Sequence, residues 1–369
     1  MSFSRLVHFL PPLGESFFKR FHPIEDDSAY MKAGIGWLLQ AKAADSEGGF
    51  AHSYALKTGW SAAYPETTGY IAKTLLLCAE TDGDTEVRDV ALAACDWLID
   101  VQQNGSIASP IFSADDGVVF DTGQVLFGLI QAHRTTGDDK YLQAAKKAGD
   151  WLVTVADQQG VWTKSTHLGV PHVYNVRVAW ALLELHSLTG QSDLAEIARS
   201  NINFALDNEQ NGWFDNCAFN QGDMPYTHNL GYATRGLLES HALVPDENVF
   251  AAAQRSADHV LNFLHPDGFL PGQIGPDKTC DNSYVCLTGN CQFAIIWYKL
   301  HRQTGLQRYQ DAADTVLDYV KSTVNIDTPR MQLRGAVAGS RPLWGPYARL
   351  SYPNWATKFF LDALLEKGT

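Results

Sequence analysis

The chain predicts an all-α fold, an (α/α)6 toroid of six helical hairpins. Three observations carry this. First, a Gly turn recurs as Glu47-Gly-Gly49-Phe50, Asn104-Gly105-Ser106-Ile107, Gln159-Gly160-Val161-Trp162, Asn211-Gly212-Trp213-Phe214 and Asp267-Gly268-Phe269-Leu270. Its steps are 56, 55, 52 and 56 residues, a regular internal repeat. Second, an in-phase marker closes one helix and opens the next: Thr81-Asp-Gly-Asp84, Thr135-Thr-Gly-Asp138, Leu188-Thr-Gly-Gln191 and Gln303-Thr-Gly-Leu306, with Val244-Pro-Asp246 in the same place. Third, the helix predicted at 28–42 lacks a preceding partner and the one at 353–367 lacks a following one. Pairing them closes a sixth hairpin, whereas an open solenoid would need polar capping repeats.

Five complete hairpins are expected at about 67–103, 122–156, 174–206, 229–264 and 288–322. Their second helices carry clean 3–4 spacing, as in Ala94, Trp97, Leu98, Val101 and Ala148, Trp151, Leu152, Val155. The first helix of each is the inner one. His133, His186, His241 and His301 share one position on it, near the C-terminus, where a structural bond to helix-end carbonyls is expected. Two residues earlier stand Gln131, Glu184, Glu239 and Lys299, expected as a buried polar ring with Lys299 as counter-charge. Residues 1–27 are read as an N-terminal arm and 28–369 as one toroid domain.

Composition narrows the function. Lys plus Arg is 28 against 41 Asp plus Glu, a net charge of -13, and no basic run appears, so nucleic acid is not an expected partner. The N-terminal apolar run is too short for a signal peptide, and no stretch is long enough to span a bilayer, so the expectation is a cytoplasmic protein without a transmembrane segment. The segment Phe17-Phe18-Lys19-Arg20-Phe21 is read as a docked arm rather than a membrane contact. Cys78 and Cys95 fall in apolar helical patterns. Cys280, Cys286 and Cys291 match no zinc spacing, so neither metal nor cofactor is expected.

The extended pieces leading into inner helices converge on one mouth of a toroid, where helix N-termini gather free N–H groups. Tyr64-Pro65-Glu66 begins such a helix, with Thr67 or Thr68 expected as its cap and Trp60 and Tyr70 flanking the acid. Asp121 enters from the next repeat, and Glu66 with Asp121 is the best carboxyl pair for glycoside hydrolysis. Tyr64, His172 and His228 join them as proton-transfer candidates. Tyr174, Asn175, Arg177, Tyr226, Asn229, Arg235, Asn290 and Trp355 occupy later entrances, and Trp60, Trp213 and Trp344 the loops, as candidate substrate-binding residues. Ring faces stack on pyranose C–H faces, and amides and carboxylates bond paired hydroxyls, so an oligo- or polysaccharide is the expected substrate. Self-association is left open.

Trp37-Leu-Leu-Gln40 ahead of Gly49-Phe50, Trp97-Leu98 with Gln102-Gln-Asn-Gly105, and Gln210-Asn-Gly-Trp213 resemble the Gln-Trp repeats of squalene-cyclase and prenyltransferase toroids. The Asp-x-Asp-Asp acid of the former and the zinc ligands of the latter are absent; Asp115-Asp116 is only an adjacent pair. In architecture, residues 28–367 also resemble the α/α-toroid carbohydrate enzymes: unsaturated-glucuronyl hydrolases, N-acylglucosamine 2-epimerases, and the toroid domains of polysaccharide lyases and uronyl C5-epimerases. That resemblance implies a class of chemistry and no residue assignments. Glycoside hydrolysis leads. The alternatives are a uronyl epimerase or lyase, with a Tyr or His base and Asn or Arg neutralising the carboxylate, and a non-catalytic glycan-binding or polysaccharide-assembly protein.

Overall fold

The structure, a computed structural model, describes residues 11–17, 21–110 and 113–369, with side chains from 116 onward after the second break. Phe18, Lys19 and Arg20 of the expected arm segment lie outside the described residues, as do residues 1–10. From residue 27 the helices run α1 Asp27–Ala43, α2 Pro65–Asp82, α3 Thr85–Val101, α4 Val119–Thr136, α5 Asp139–Thr154 and α6 Val176–Thr189. They continue as α7 Ser192–Asp207, α8 Thr227–Leu243, α9 Glu247–Leu261, α10 Leu287–Thr304, α11 Gln307–Thr323 and α12 Asn354–Lys367.

The even-numbered helices form the inner ring. Each packs on the next, α2 on α4 and so on to α12, and α12 packs back on α2. The odd-numbered helices lie outside, with α1 against α12 as the sixth pair. Inner helices are buried nearly all round, α10 from Leu287 to Tyr298, whereas outer helices bury one stripe, such as Tyr141, Ala144, Ala145, Ala148 and Leu152 of α5. A small sheet reinforces the closure: strand Ser53–Ala55 pairs antiparallel with Gly59–Trp60 and with Ser351–Pro353, joining the first repeat to the last.

The hairpin turns are built from a repeated kit. Gly83, Gly137, Gly190 and Gly305 end their helices at φ of about 70°, a left-handed conformation that other residues adopt at a cost. Asp84, Asp138 and Asp246 cap the helices that follow by accepting backbone N–H bonds. The recurring histidines complete the turn. His133, His186, His241 and His301 each place Nδ1 2.7–3.1 Å from the carbonyl five residues on, across the turn rather than within the helix end. The polar ring forms in part. Lys299 pairs with Glu239 at 3.3 Å, while Glu184 takes Lys73 (2.8 Å) and Arg134 (2.7 Å) instead.

A second repeated contact ties each loop to the inner ring. Thr68 Oγ1 accepts from the Phe50 N–H (2.9 Å), Thr122 from Ile107 (2.9 Å) and Thr357 from Val337 (3.0 Å). This corrects the expected capping role of Thr67 or Thr68. Tyr64 is the N-cap residue of α2 and no side chain caps there, because Thr68 is spent on the loop and Thr67 donates back to the Tyr64 carbonyl. Among the described residues no helix is long and apolar enough to cross a membrane, the six cysteines are free thiols, and no His/Cys/Asp/Glu group is spaced to hold a metal ion.

Replacing Thr122 by Val keeps the shape but strands the buried Ile107 N–H. It is expected to cost about 1–3 kcal/mol in urea unfolding, against about 0.5 kcal/mol or less for the exposed Thr81→Val. Equal costs at the two positions would show that the loop contact is not a stabilising one.

Candidate active site

Pro65 at the first position of α2 fixes its own backbone and holds Tyr64 extended (φ -132°, ψ 117°), which sets Glu66 in the first turn at the mouth of the ring. Asp121 occupies the first turn of α4. Two glycines bring these helices unusually close: a Cβ on Gly69 would collide with the backbone at Gln124 and Val125, and one on Gly128 with the Gly69 carbonyl. Gly69 lies three residues from Glu66, so the close approach falls directly below the two acids.

Both carboxyls line a cavity of about 840 Å3. Its walls are aromatic: Tyr70, Phe120, Trp151, Tyr174, Phe219, Tyr232, Tyr347 and Trp355, with His52, His167, His228, Asn175 and Asp116 among the polar groups. Asp121 is buried; its Oδ2 accepts from the Tyr64 hydroxyl at 2.9 Å, which lies 2.9 Å from Ser109 Oγ. Burial pushes Asp121 up to about 7, opposed by its bonds to Tyr64 and Ser109. Glu66 opens onto the cavity. Burial of its carboxyl, and then the charge of Asp121, hold it well above the usual carboxylate range, against the Tyr70 and Tyr64 hydroxyls and the Arg177 charge. Burial thus favours the neutral form of both carboxyls, and charge on Asp121 opposes charge on Glu66.

The other predicted residues divide. Tyr64 lines the cavity but donates to Asp121, and burial raises its phenol far above its ordinary value, so it acts as a donor and not as a base. His228 faces the cavity among Phe219, Tyr226, Tyr232 and Tyr347, with neither ring nitrogen partnered among the described residues. Burial pulls it down to about 3, which leaves it neutral. Tyr174, Asn175 and Trp355 line the wall, and Trp355 Nε1 donates to the Tyr347 hydroxyl at 2.7 Å. His172 stands behind, stacked on Tyr174 (4.6 Å, 17°), with its nitrogens turned to the carbonyls of Ala218 and His167 and so withdrawn from substrate.

Arg177 and Arg235 lie below the cavity floor and do not line it. Arg235 pairs with Glu239 and Asp362, both at 3.1 Å. Asn229 and Asn290 are fully buried under the mouth, and Tyr226 packs behind His228 and Tyr347. Trp60 packs on Trp37 and Tyr54, Trp213 stands over an outer loop with its Nε1 on Asp215, and Trp344 is exposed beside Phe17. Sequence reasoning missed Tyr232, Phe219, Tyr347 and His52. Tyr232 falls one helical turn after His228, a spacing that could have found it. The other three sit on loops with no periodic signal.

A carboxyl raised by burial makes the fold less stable as pH climbs. The contribution of Asp121 is fully present below its ordinary value of 3.8 and is lost as pH rises through about 7. Asp121→Asn should therefore gain in melting temperature relative to the parent between about pH 4 and about pH 8. A difference that stays flat over that range would contradict the assigned environment.

A family model described as "Beta-L-arabinofuranosidase, GH127 catalytic domain" matches residues 39–262, more than half of the chain. No curated protein matches the chain in sequence. Among solved structures, an unsaturated glucuronyl hydrolase specific for heparin superposes with a TM-score of 0.73 at 15% identity, covering 93% of this chain and 98% of that one. The unsaturated glucuronyl hydrolase of Bacillus sp. GL1 gives 0.73 at 15%, covering 92% and 96%. Cellobiose 2-epimerase from Bacillus thermoamylovorans B4167 gives 0.71 at 13%, covering 96% and 98%. At these identities the likeness establishes the toroid fold. The closed ring, the acid-bearing aromatic cavity at its mouth and the family match together place this chain in the β-L-arabinofuranosidase GH127 catalytic-domain family of carbohydrate-active enzymes.

Proposed function

We propose that the chain hydrolyses a glycosidic bond of an uncharged sugar, with Glu66 as the general acid and Asp121 as its ionised partner. One observation carries this reading: two carboxyls from adjacent inner helices line one cavity, where burial and the charge of Asp121 oppose ionising both. Glycoside hydrolysis needs that division of labour. Glu66 gives its proton to the departing glycosidic oxygen. Asp121, oriented by Tyr64, either activates water or attacks the anomeric carbon. The aromatic walls offer stacking faces, and His228 and Asn175 offer hydrogen bonds to hydroxyls.

The uronate-directed alternative fits less well. Abstraction of the proton beside a carboxylate calls for a cation or amide cluster against that carboxylate. Among the described residues lining the cavity there is no Lys or Arg, whereas Glu66, Asp116 and Asp121 all line it. The two arginines assigned from sequence to that task are turned into the barrel. A uronate entering here would meet like charge.

Proton NMR of the protein with neutral and uronate-bearing glycosides, β-L-arabinofuranosides included, tests the proposal. New reducing-end anomeric signals are expected from a neutral substrate. Glu66→Gln and Asp121→Asn, both folded, should each lower the rate by about a hundredfold or more. A vinyl proton, loss of a uronate H5 signal, or near-parental turnover in Glu66→Gln would overturn it.

A further inference from the structure

The cavity has two unlike parts. Over the ring axis its wall is buried and tipped with polar atoms, on Tyr70, Asn175, His228, Tyr232 and Tyr347. Between the α4–α5 and α6–α7 hairpins it ends in a lip of apolar side chains. Val118 and Phe120 come from the entrance of α4, Trp151 and Val155 from the end of α5, and Leu168 from the loop into α6. The first four are half-buried and Leu168 is exposed. The lip is tightly joined: a Cβ on Gly117 would collide with the Trp151 indole, so the chain entering α4 lies against that ring.

Leu168 is held there at a cost. Its backbone is left-handed (φ 58°), as are those of Ser165 (55°) and Gly169 (64°). A leucine adopts that conformation only where its surroundings enforce it. Leu350, the other leucine so held, packs against the core, whereas Leu168 stays 62% exposed. Hydrogen bonds do the enforcing. The Ser165 carbonyl accepts from the Val119 N–H at 2.7 Å, and the Thr166 hydroxyl donates to the Val170 carbonyl at 2.8 Å. The Gly169 N–H donates to the Thr166 carbonyl at 3.1 Å, and the His167 carbonyl meets His172 Nε2 at 2.8 Å. A rigid loop thus presents one large apolar side chain, without core contacts, at the opening of the cavity.

We propose that this lip is a subsite for an apolar leaving group: the substrate is an aryl or alkyl glycoside, its sugar in the polar part of the cavity and its aglycone on Leu168 and Trp151. This rests on reading Glu66 and Asp121 as the reacting carboxyls. The lip begins beside them, since the Ser165 carbonyl is bonded two residues before Asp121. A sugar seated over the closed floor leaves its substituent one way out, across the lip. Cleavage breaks the anomeric C–O bond. The aglycone oxygen takes the Glu66 proton and departs as an alcohol or phenol; water supplies the anomeric hydroxyl, its remaining proton returning to the carboxyl pair. A second sugar on the lip would need partners for its hydroxyls. Thr166 spends its hydroxyl on Val170, His167 packs its ring on His172 and Phe219 (6.0 and 5.9 Å), and Asp116 has its own partner within the chain. Ser165 is the remaining hydroxyl, against five apolar side chains that an aromatic or alkyl group would cover.

The test is NMR of protein carrying 13C-methyl leucine, with Leu168 assigned by Leu168→Asn. Asparagine accepts the left-handed backbone more readily than leucine, so this variant should melt no lower than the parent. Benzyl β-L-arabinofuranoside and, at higher concentration, benzyl alcohol alone should shift the Leu168 methyls by ring current; methyl β-L-arabinofuranoside should not. Benzyl and methyl alcohols depart with similar ease, so a ratio of kcat/KM between the two glycosides reports contact. That ratio should favour benzyl, and Leu168→Asn should lower it about fivefold or more, through KM. Leu168 methyls unmoved by both benzyl probes, or equal ratios in parent and variant, would overturn the proposal. So would faster turnover of a β-linked arabinofuranosyl disaccharide than of the benzyl glycoside, which would assign the lip to a second sugar. A Leu168 shift in a chain that hydrolyses no glycoside would retain the lip and reject the hydrolase reading. Hydrolysis without the shift would do the reverse.

Discussion

Two carboxyl groups in one poorly solvated space cannot both be charged without a large electrostatic cost, and the site is organised around that constraint. The constraint arises from backbone packing. Gly69 and Gly128 let α2 and α4 approach until no side chain fits between them, and the acids one turn above are drawn together. Pro65 fixes the entrance of α2, and Tyr64, held extended before it, is the residue that hydrogen-bonds Asp121. The same short segment thus supplies the acid, its placement and the donor that orients its partner.

The toroid makes such an arrangement affordable. Its hairpins are secured at their outer ends by local devices, glycine C-caps, aspartate N-caps and a histidine bridge across the turn, none of which depends on the mouth. Lower in the barrel, ion pairs are matched within the inner ring. Polar atoms near the mouth have no partner among the described residues, on His228, Asn229 and Gln292. At His228, which faces the cavity, that demand is of the kind a hydroxyl group or water can satisfy. The low end of the ring holds matched charges, and the mouth holds the cavity with its carboxyls and unpartnered polar groups.

The repeat made the fold legible, because glycine turns and histidines at one spacing are local signals and closure followed from two unpaired helices. The placement of Glu66 and Asp121 on the cavity was legible for a related reason: each stands at a fixed point, the start of an inner helix, whose direction the toroid dictates. Residues farther along were not. Arg177 and Arg235 read as mouth residues, but helix phase turns both inward, and only the pattern of buried neighbours reveals it. Tryptophan in a loop was a poor guide too, since Trp60 packs on Trp37 and Tyr54 while Trp344 stands outside. Phe219, Tyr347 and His52 reach the cavity through loop conformations that no spacing encodes.

The central claim is that the resting site holds one neutral carboxylic acid, on Glu66. Infrared difference spectroscopy at neutral pH, parent minus Glu66→Gln, measures it in the C=O stretching region of protonated acids. A positive acid band that shifts on deuteration is the predicted result. A difference spectrum with only carboxylate bands would mean that both groups are ionised at rest, and would contradict the assignment of Glu66 as the acid.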